Sequence, residues 1–259
     1  MNKEKSMTDM NVVPAQVINT IKENLAHVRE RIRLACRASA RDESSVRLLL
    51  ATKTVPAERI RVAVAAGETL IGENKVQELK QKMPLLEGLP VEGHFIGHLQ
   101  TNKIKDVLKY AHCIQTIDRL DLAEKLDKRL QFEGRSIEVM IQVNTSFEES
   151  KFGAHPDNAY DLIRAVGKFD TLKIKGLMTI GLFAAEAEKV RPSFTLLRSI
   201  RDEALSEGIL LPEATELSMG MSGDLETAIA EGATIVRVGT AIFGKRIYPD
   251  SYYWNERQG

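Results

Sequence analysis

Eight short apolar runs, separated by segments with the spacing of amphipathic helices, most restrict the fold of this 259-residue chain. The runs cover residues 46–53, 69–73, 93–97, 112–117, 137–143, 174–179, 214–218 and 234–239. Short apolar runs bounded by polar residues are typical of buried strands, and parallel strands need a connecting segment such as a helix between them. Eight β-α units in succession close into a barrel. The sequence therefore predicts an α/β fold with a single (β/α)8 TIM-type barrel.

One long helix and several shorter ones are predicted around these strands. Residues 14–40 carry an apolar side chain at roughly every third or fourth position and begin with a proline, which predicts an additional N-terminal helix. Helix-like spacing recurs at residues 57–66, 75–86, 121–132, 156–166, 186–207 and 225–230. Because no linker or repeat interrupts this pattern, we expect one domain over residues 14–259, preceded by a flexible tail at residues 1–13. A doubly wound open sheet is the alternative fold, because strand order cannot be read from one sequence.

The composition argues against several classes of function. Basic and acidic residues both number 36, so the formal charge is zero and gives no reason to expect nucleic-acid binding. The first ten residues are too polar for a secretory signal and no apolar stretch could cross a bilayer, so we expect a cytoplasmic protein without membrane association. Cys36 and Cys113 lie far apart and outside any metal-ligand spacing, which favours two reduced, buried thiols without a disulfide or a metal site.

Polar and reactive side chains gather where the predicted strands end. A barrel carries its functional residues on the face formed by the carboxyl ends of its strands. In chain order these positions hold Lys53 and Thr54, Glu73 and Asn74, His94 and His98, Asp118, Asn144, Met178 and Thr179, Ser218 and Ser222, and Arg237 and Thr240. Any one of them alone could be a helix cap or a turn residue, and Asp118, Asn144 and Thr179 need be nothing more. Their joint placement predicts a functional site on this face.

Lys53 and two glycine-containing segments indicate what this site binds. Lys53 closes the first apolar run and is a candidate Schiff-base lysine, although a lysine at a strand end commonly extends into solvent. Residues 218–224 and 236–240 combine small residues, hydroxyl groups and backbone N–H groups at element ends, as phosphate binding requires. Ser222 could equally be the N-cap of the helix that follows it. An amine together with phosphate-binding segments favours pyridoxal phosphate as the cofactor.

Seven short motifs run through nearly the whole chain after the N-terminal tail. They are residues 50–53 (LATK), 72–78 (GENKVQE), 94–103 (HFIGHLQTNK), 150–153 (SKFG), 176–178 (GLM), 217–224 (LSMGMSGD) and 237–240 (RVGT). In combination they closely resemble the YggS/PROSC (PLPBP) family of pyridoxal phosphate homeostasis proteins. The resemblance implies a fold similar to the N-terminal barrel domain of alanine racemase, without the C-terminal β-domain of that enzyme.

The same resemblance implies roles for individual residues. Lys53 would carry pyridoxal phosphate as an internal aldimine, and Arg237 would face the pyridine nitrogen. Ser222, Gly239 and Thr240 would hold the phosphate. The full set of cofactor-binding residues expected from the motifs and the resemblance is Lys53, Asn74, His94, Ser218, Ser222, Arg237, Gly239 and Thr240.

Arg237 limits the chemistry that the predicted site can support. An arginine presents only donors and stays protonated, so a guanidinium that faces the pyridine nitrogen donates to an unprotonated ring and cannot protonate it. The ring is then a weaker electron sink. This favours either a racemase-like proton exchange or a site that holds the cofactor without chemistry. The alternative is that Arg237 points outward and pairs with a surface acid.

A count of acid–base groups favours binding over catalysis. Racemisation needs a proton donor and a proton acceptor on opposite faces of the substrate, and Lys53 can serve as only one of them. In alanine racemase the other is a tyrosine from the partner subunit, whereas none of the five tyrosines here falls at a predicted strand-to-helix junction. His94 is the remaining candidate acid or base for weak activity.

Three functions stay open at the level of the sequence. The favoured one, as the resemblance implies, is a pyridoxal phosphate binder that stores, buffers or delivers the cofactor with little or no catalysis. An amino-acid racemase of the alanine racemase type is the alternative, and a phosphosugar aldolase or isomerase that uses Lys53 is the third. Delivery implies transient contact with pyridoxal phosphate-dependent enzymes. The absence of a racemase-type second domain favours a monomer.

Overall fold

Eight parallel strands form a closed barrel in the computed structural model, which describes residues 13–182 and 186–244. The strands are β1 (Arg47–Ala51), β2 (Leu70–Glu73), β3 (Glu92–Phe95), β4 (Cys113–Ile117), β5 (Ile137–Gln142), β6 (Leu172–Met178), β7 (Glu216–Ser218) and β8 (Ile235–Val238). Each strand pairs with the next, and β1 pairs with β8, where Leu50 lies opposite Val238. The predicted barrel is therefore confirmed. The open-sheet alternative is wrong, because the pairing of β1 with β8 leaves no free edge.

Helices surround this barrel. They are α1 (Ala15–Ala38), α2 (Ala57–Ala65), α3 (Val76–Lys82), α4 (Ile104–Val107), α5 (Leu120–Glu133), α6 (Ala159–Val166), α7 (Ala187–Ser206), α8 (Leu225–Ala230) and α9 (Thr240–Phe243). Short 3-10 turns lie at Glu43–Ser45, Met83–Leu86, Thr101–Lys103 and Pro156–Asn158. Within the described ranges, none of these helices is long and apolar enough to cross a membrane.

The additional N-terminal helix, α1, shows how the apolar pattern specifies both a helix and its packing. The buried residues Ile21, Leu25, Val28 and Ile32 recur at three- or four-residue intervals and therefore share one face. Pro14 precedes the first turn, where a missing backbone N–H costs no intrahelical hydrogen bond. Burial of a side chain of this size contributes about 1.5–3 kcal/mol. This face packs α1 against α2, α8 and α9, beside the paired strands β1 and β8.

Apolar side chains pack in two separate regions. The larger region joins the helices to the outer face of the strands. The smaller region fills the inside of the barrel and consists of Leu49, Leu70, Ile96, Cys113, Met140, Met178 and Ile235. Cys36 and Cys113 are both buried, free thiols, as the sequence predicts. Buried polar side chains share the barrel interior with these apolar ones, and several of them belong to the candidate site.

One predicted helix ends early because of a proline. The helix predicted at residues 75–86 stops as α3 at Lys82, and a 3-10 turn over Met83–Leu86 replaces its last residues. Pro84 has no backbone N–H and cannot donate the hydrogen bond that would continue the α-helix. Residues 1–12 of the predicted tail, residues 183–185 and residues 245–259 lie outside the described residues.

Candidate functional site

Lys53 lies two residues after the end of β1, at the carboxyl end of the barrel, which we call the mouth. The residue is buried, with 6% of its surface exposed. Thr54 follows with a φ angle of 64°, a left-handed conformation that is uncommon for a β-branched residue. The chain therefore turns sharply at Lys53. A lysine that simply extends into solvent, the alternative at this strand end, is not what the structure contains.

The glycine-containing segment at residues 236–240 lies next to Lys53. Because β8 pairs with β1, Gly239 comes beside Ala51, and a Cβ atom added to Gly239 would lie 2.6 Å from the Ala51 carbonyl oxygen. Only a glycine permits so close an approach. Thr240 is exposed and begins α9 at the same end. The structure therefore brings Lys53 and this segment together at the mouth.

The second glycine-containing segment, residues 218–224, follows β7 and lies next to β8. Gly220 has a φ angle of 91°, and its carbonyl oxygen accepts the backbone N–H of Arg237 at 2.9 Å. The Ser222 carbonyl oxygen accepts a hydrogen bond from Arg31 of α1 at 3.0 Å. These contacts tie the segment to β8 and to the N-terminal helix, so both segments lie at the mouth.

Asp224, and not Ser222, occupies the N-cap position of α8. Its carboxylate accepts the backbone N–H of Met221 at 2.5 Å, which closes the turn that contains Ser222. Burial raises the pKa of Asp224, against the effect of that hydrogen bond. The alternative role of Ser222 as the N-cap residue is therefore wrong.

The other polar residues at the predicted strand ends differ in their contacts. The Thr179 hydroxyl pairs with the Thr145 hydroxyl at 2.9 Å. The Asn144 amide donates to a carbonyl oxygen in its own loop, and the Asp118 carboxylate accepts from the neighbouring arginine. The contacts of Asn144 are those of a turn residue, whereas the Asp118 carboxylate also lies 3.8 Å from His98 Nδ1. Asn74 is half-buried directly after β2, at the mouth.

Arg237 lies in β8 with its side chain inside the barrel, where 6% of the residue is exposed. The guanidinium donates to the Ser218 hydroxyl at 2.9 Å and to the Thr179 carbonyl oxygen at 2.8 Å. Burial lowers the pKa of Arg237 to about 10, and the carboxylate of Asp224 partly offsets this effect. The guanidinium therefore stays protonated at neutral pH. The alternative of an outward arginine paired with a surface acid is wrong.

A chain of hydrogen bonds continues from Ser218 across the barrel interior. The Ser218 hydroxyl donates to the Gln115 amide oxygen at 2.6 Å, and the Gln115 amide nitrogen lies 2.7 Å from His94 Nδ1. His94 Nε2 lies 2.7 Å from the carboxylate of Glu92, the first residue of β3. These side chains connect Arg237 near the mouth to the opposite end of the barrel.

The donors in this chain define the hydrogen-bond roles of the two ring nitrogens of His94. Because Arg237 can only donate, Ser218 accepts from it and gives its own proton to the Gln115 oxygen. Gln115 then donates an N–H to His94 Nδ1, which leaves the ring proton of a neutral His94 on Nε2, directed at Glu92. The hydrogen bond with His94 is the main cause that lowers the pKa of Glu92 to about 2. Both ring nitrogens of His94 are thus engaged inside the barrel, within β3 and not after it.

Gln115 and Glu92 were not identified from the sequence. Gln115 lies in the middle of β4, where every residue is buried. A glutamine at the centre of a buried run is a signal in itself, because a buried amide needs hydrogen-bond partners. Glu92 directly precedes the third apolar run and reads as an ordinary surface residue in the sequence. Its contact with His94 depends on the strand geometry, which places residues 92 and 94 on the same face of β3.

Neither of the described tyrosines lies at the mouth. Tyr110 lies three residues before β4, at the amino end of that strand. Tyr160 lies on α6, and its hydroxyl donates to Glu203 of α7 at 2.6 Å. The three others, Tyr248, Tyr252 and Tyr253, fall outside the described residues. Within the described part of the chain, no tyrosine is placed to exchange a proton near Lys53.

A comparison with known proteins defines the class of this barrel. The family described as "Alanine racemase, N-terminal domain" matches residues 21–247. An alanine racemase of Clostridium difficile superposes with a TM-score of 0.67 at 14% identity, over 90% of this chain and 57% of that chain. At this identity the likeness shows a shared fold. The protein is therefore an alanine racemase-type barrel.

Relatives with higher identity narrow the assignment. A Pyridoxal phosphate homeostasis protein of Aquifex aeolicus is 44% identical over 227 residues, which cover 87% of this chain and 98% of that protein. The protein of the same name in Escherichia coli K12 is 40% identical over 234 residues, 89% and 99% of the two chains. The structure of PipY from Synechococcus elongatus with PLP bound has a TM-score of 0.75 at 34% identity and covers 86% and 100%. The chain belongs to the family of pyridoxal phosphate homeostasis proteins.

Proposed function

We propose that this protein binds pyridoxal phosphate covalently through Lys53 and takes part in the homeostasis of this cofactor, with little or no catalysis. The observation that carries the proposal is the convergence of buried Lys53, the two glycine-containing segments and buried Arg237 at one end of the barrel. PipY, at 34% identity, is described with PLP bound. The relatives in Aquifex aeolicus and Escherichia coli are named for pyridoxal phosphate homeostasis.

The residues at the mouth fit the chemistry of this cofactor. Pyridoxal phosphate presents an aldehyde, an anionic phosphate and a ring nitrogen, which need an amine, hydrogen-bond donors and a polar partner. Lys53 supplies the amine. Ser222, Gly239 and Thr240 supply hydroxyl and backbone groups for the phosphate. The protonated guanidinium of Arg237 supplies a donor for the ring nitrogen.

The remaining predicted residues act around this core of the site. Ser218 and His94 belong to the hydrogen-bond chain that fixes the orientation of the Arg237 guanidinium. Asn74 lines the mouth from the end of β2. We assign these three residues to holding and shaping the site, and none of them to a chemical step.

Covalent binding is a condensation in which Lys53 is the nucleophile. The neutral amine of Lys53 would add to the aldehyde of the cofactor, with release of one water molecule. When bound, the cofactor supplies an electron sink. Arg237 would donate to the ring nitrogen without protonating it, which would keep this sink weak.

Turnover of an amino acid would need a second acid–base group opposite Lys53. In the described part of the chain, the two tyrosines lie away from the mouth, and both ring nitrogens of His94 are engaged within the barrel. A site with one acid–base group can exchange its bound cofactor but racemises poorly. The geometry therefore supports a binder over a racemase.

The absorbance of protein-bound pyridoxal phosphate tests the central assignment. We expect the purified wild type to show the absorbance of the C=N bond and Lys53→Ala to lose it. Lys105→Ala, which removes an exposed lysine of α4, is the matched control and should keep the spectrum of the wild type. An unchanged spectrum in Lys53→Ala would refute the assignment.

Incubation of the cofactor-loaded protein with single enantiomers of several amino acids separates binding from racemisation. We expect the enantiomers to keep their optical purity. A loss of optical purity that depends on Lys53 would replace this proposal with the racemase alternative. A colourless protein that borohydride traps only in the presence of a sugar phosphate would instead support an aldolase or isomerase.

We further propose that the protein acts in the cytoplasm as a monomer that contacts pyridoxal phosphate-dependent enzymes transiently. Its balanced charge, with 36 basic and 36 acidic residues, supports partners that are neither nucleic acid nor anionic membranes. The delivery of a reactive aldehyde to another protein favours a brief contact over a stable complex. Light scattering of the purified protein tests the monomer, and a dimer mass would refute it.

A further inference from the structure

A buried ammonium group lies directly behind the turn that carries Lys53. Lys82, the last residue of α3, is 8% exposed. Its Nζ donates to the Thr52 carbonyl oxygen at 2.7 Å, to Glu73 Oε1 at 2.8 Å and to Glu78 Oε2 at 2.6 Å. An ammonium has three N–H donors, so these three contacts use all of them.

These contacts hold the backbone on both sides of Lys53. On one side, Lys82 binds the carbonyl oxygen of Thr52, the preceding residue. On the other side, Glu78 accepts the backbone N–H of Thr54 at 2.6 Å with the same oxygen that binds Lys82. One ammonium and one carboxylate thus clamp the two peptide groups that flank Lys53.

The clamp stabilises an uncommon backbone conformation at Thr54. The φ angle of 64° at this residue is left-handed, which is unfavourable for a β-branched side chain unless the surroundings enforce it. Glu78 enforces it by accepting the Thr54 N–H. Without this acceptor, the turn would relax toward ordinary backbone angles, and the side chain of Lys53 would leave its place at the mouth.

The third partner, Glu73, ties the clamp to the barrel. This last residue of β2 is fully buried, and its Oε1 also accepts the hydroxyl proton of Thr52 at 2.6 Å. Lys82 is therefore held between α3 and the ends of β1 and β2, where burial strengthens its hydrogen bonds. The position of the turn at residues 52–54 is consequently fixed relative to β1 and β2.

We infer that Lys82, together with Glu73 and Glu78, is a positioning device that sets the conformation of the Lys53 turn for covalent binding of the aldehyde. This inference rests on the proposed function. It assigns a role to a buried lysine that takes no part in the chemistry and does not contact the reacting atoms. Its effect reaches the cofactor only through the backbone of residues 52–54.

The test compares Lys82→Met with the wild type. Methionine keeps the length of the stem but removes the ammonium and all three hydrogen bonds. We expect the pyridoxal phosphate concentration for half-maximal C=N absorbance to rise about 10-fold to 100-fold, because small misplacements of a reactive group have effects of this size. Lysine labelling of the protein without cofactor, followed by mass spectrometry, should show a changed labelling rate at Lys53.

Arg29→Met is the matched control for the loss of a partly buried ion pair. Arg29 of α1 pairs with buried Glu68, which precedes β2 at the end of the barrel opposite the mouth. We expect this variant to lose stability but to bind pyridoxal phosphate within about twofold of the wild type, as changes away from the reacting groups usually do. A purely structural role of Lys82 predicts the same behaviour for both variants.

A rescue experiment addresses the turn itself. Glycine adopts the left-handed conformation without a Cβ penalty, so Thr54→Gly reduces the need for the clamp. We expect Lys82→Met combined with Thr54→Gly to regain part of the lost affinity. Should Lys82→Met fail to fold, Glu78→Ala removes the acceptor of the Thr54 N–H at a partly exposed position and is judged by the same criteria.

The outcomes distinguish this inference from the proposed function. A wild type without C=N absorbance refutes the proposed function and the inference with it. A wild type that forms the bond at Lys53, beside a folded Lys82→Met or Glu78→Ala with unchanged affinity and labelling, refutes the inference alone. Weaker binding and altered labelling in the clamp variants but not in Arg29→Met support it.

Discussion

At the scale of single residues, the direction of each hydrogen bond determines what the buried polar groups can do. Arg237 can only donate, and this property passes through Ser218 and Gln115 to His94. Nδ1 of His94 accepts from Gln115, so Nε2 is the ring nitrogen that donates to Glu92. A site built from aligned donors holds a cofactor in one orientation but has few groups that can accept or release a proton.

Gly239→Ala should weaken cofactor binding. The new Cβ would lie 2.6 Å from the Ala51 carbonyl oxygen, so β1 and β8 must separate at the mouth, between Lys53 and the phosphate segment. We expect a loss of affinity for pyridoxal phosphate of about tenfold or more, measured by titration of the C=N absorbance. Gly167→Ala is the control, because Gly167 lies between α6 and β6, at the end of the barrel opposite the mouth, and its φ angle of −62° suits any residue. Equal affinities of the two variants would contradict the predicted position of the phosphate.

Residues at strand ends could be predicted from the sequence, whereas buried residues behind them could not. Lys53 and Gly239 are the last residues of their apolar runs, and the carboxyl ends of parallel strands meet at one face. Lys82 shares the buried face of α3 with Val76 and Leu79, three residues apart, which is a signal for an inward lysine. Its partners at the ends of β1 and β2 depend on how these strands pair, and this pairing cannot be read from the sequence.

At the scale of elements, β2 and α3 form a unit that presents two carboxylates to one ammonium. Glu73 ends β2, and Glu78 and Lys82 lie one helical turn apart on α3. The pairing at four residues is common on exposed helices and weak there. Here Lys82 and Glu73 are buried, so removal of one partner leaves an uncompensated group inside the protein. The stability of this unit therefore depends on the protonation state of its carboxylates.

The stability of the folded protein should depend on pH through Glu73. Burial raises the pKa of Glu73 from 4.5 to about 7, although Lys82 acts in the opposite direction. Between these values the folded state keeps a proton that the unfolded state has released, so the free energy of unfolding falls as pH rises and levels off above about 7. Glu73→Gln cannot titrate. The difference in free energy of unfolding, wild type minus variant, should therefore decrease from pH 4.5 to pH 7 in urea titrations.

Glu133→Gln provides the control for this pH dependence. Hydrogen bonds from Arg135 and Arg129 lower the pKa of Glu133, so its contribution to stability is lost as pH falls below 4.5 and is constant well above that value. The difference between the wild type and Glu133→Gln should thus be nearly flat from pH 4.5 to pH 7. A flat difference for Glu73→Gln as well would mean that Glu73 is ionised throughout that range.

The elements themselves follow closely from apolar periodicity, and they deviate where other rules apply. The eight predicted runs contain the eight strands to within two residues, because burial on both faces makes a parallel strand apolar throughout. The helix predicted at residues 75–86 is shorter, since Pro84 cannot continue it. The placement of His94 and Arg237 inside strands differs from the predicted junctions, because periodicity does not reveal which polar residues point inward.

At the scale of the whole molecule, the site connects the first strand of the barrel to the last two strands. Lys53 follows β1, whereas the two glycine-containing segments follow β7 and β8. The barrel closes by pairing β1 with β8, and α1 covers the helices beside that pairing. A small molecule bound to both sides therefore bridges residues that are remote in sequence. Its binding should stabilise the closure of the barrel as a whole.

Thermal unfolding at increasing ligand concentration tests this coupling. A ligand that binds only the folded state stabilises it by about 2.7 kcal/mol at 100 times its dissociation constant, so Tm should rise steadily with pyridoxal phosphate. Lys53→Ala keeps the phosphate segments but loses the covalent bond, and its Tm should rise less. Pyridoxal without phosphate can still react with Lys53 but does not reach Ser222 or Thr240, so it should also raise Tm less. Equal shifts with and without the phosphate would show that the segments after β7 and β8 do not bind it, and the bridge across the closing strands would be absent.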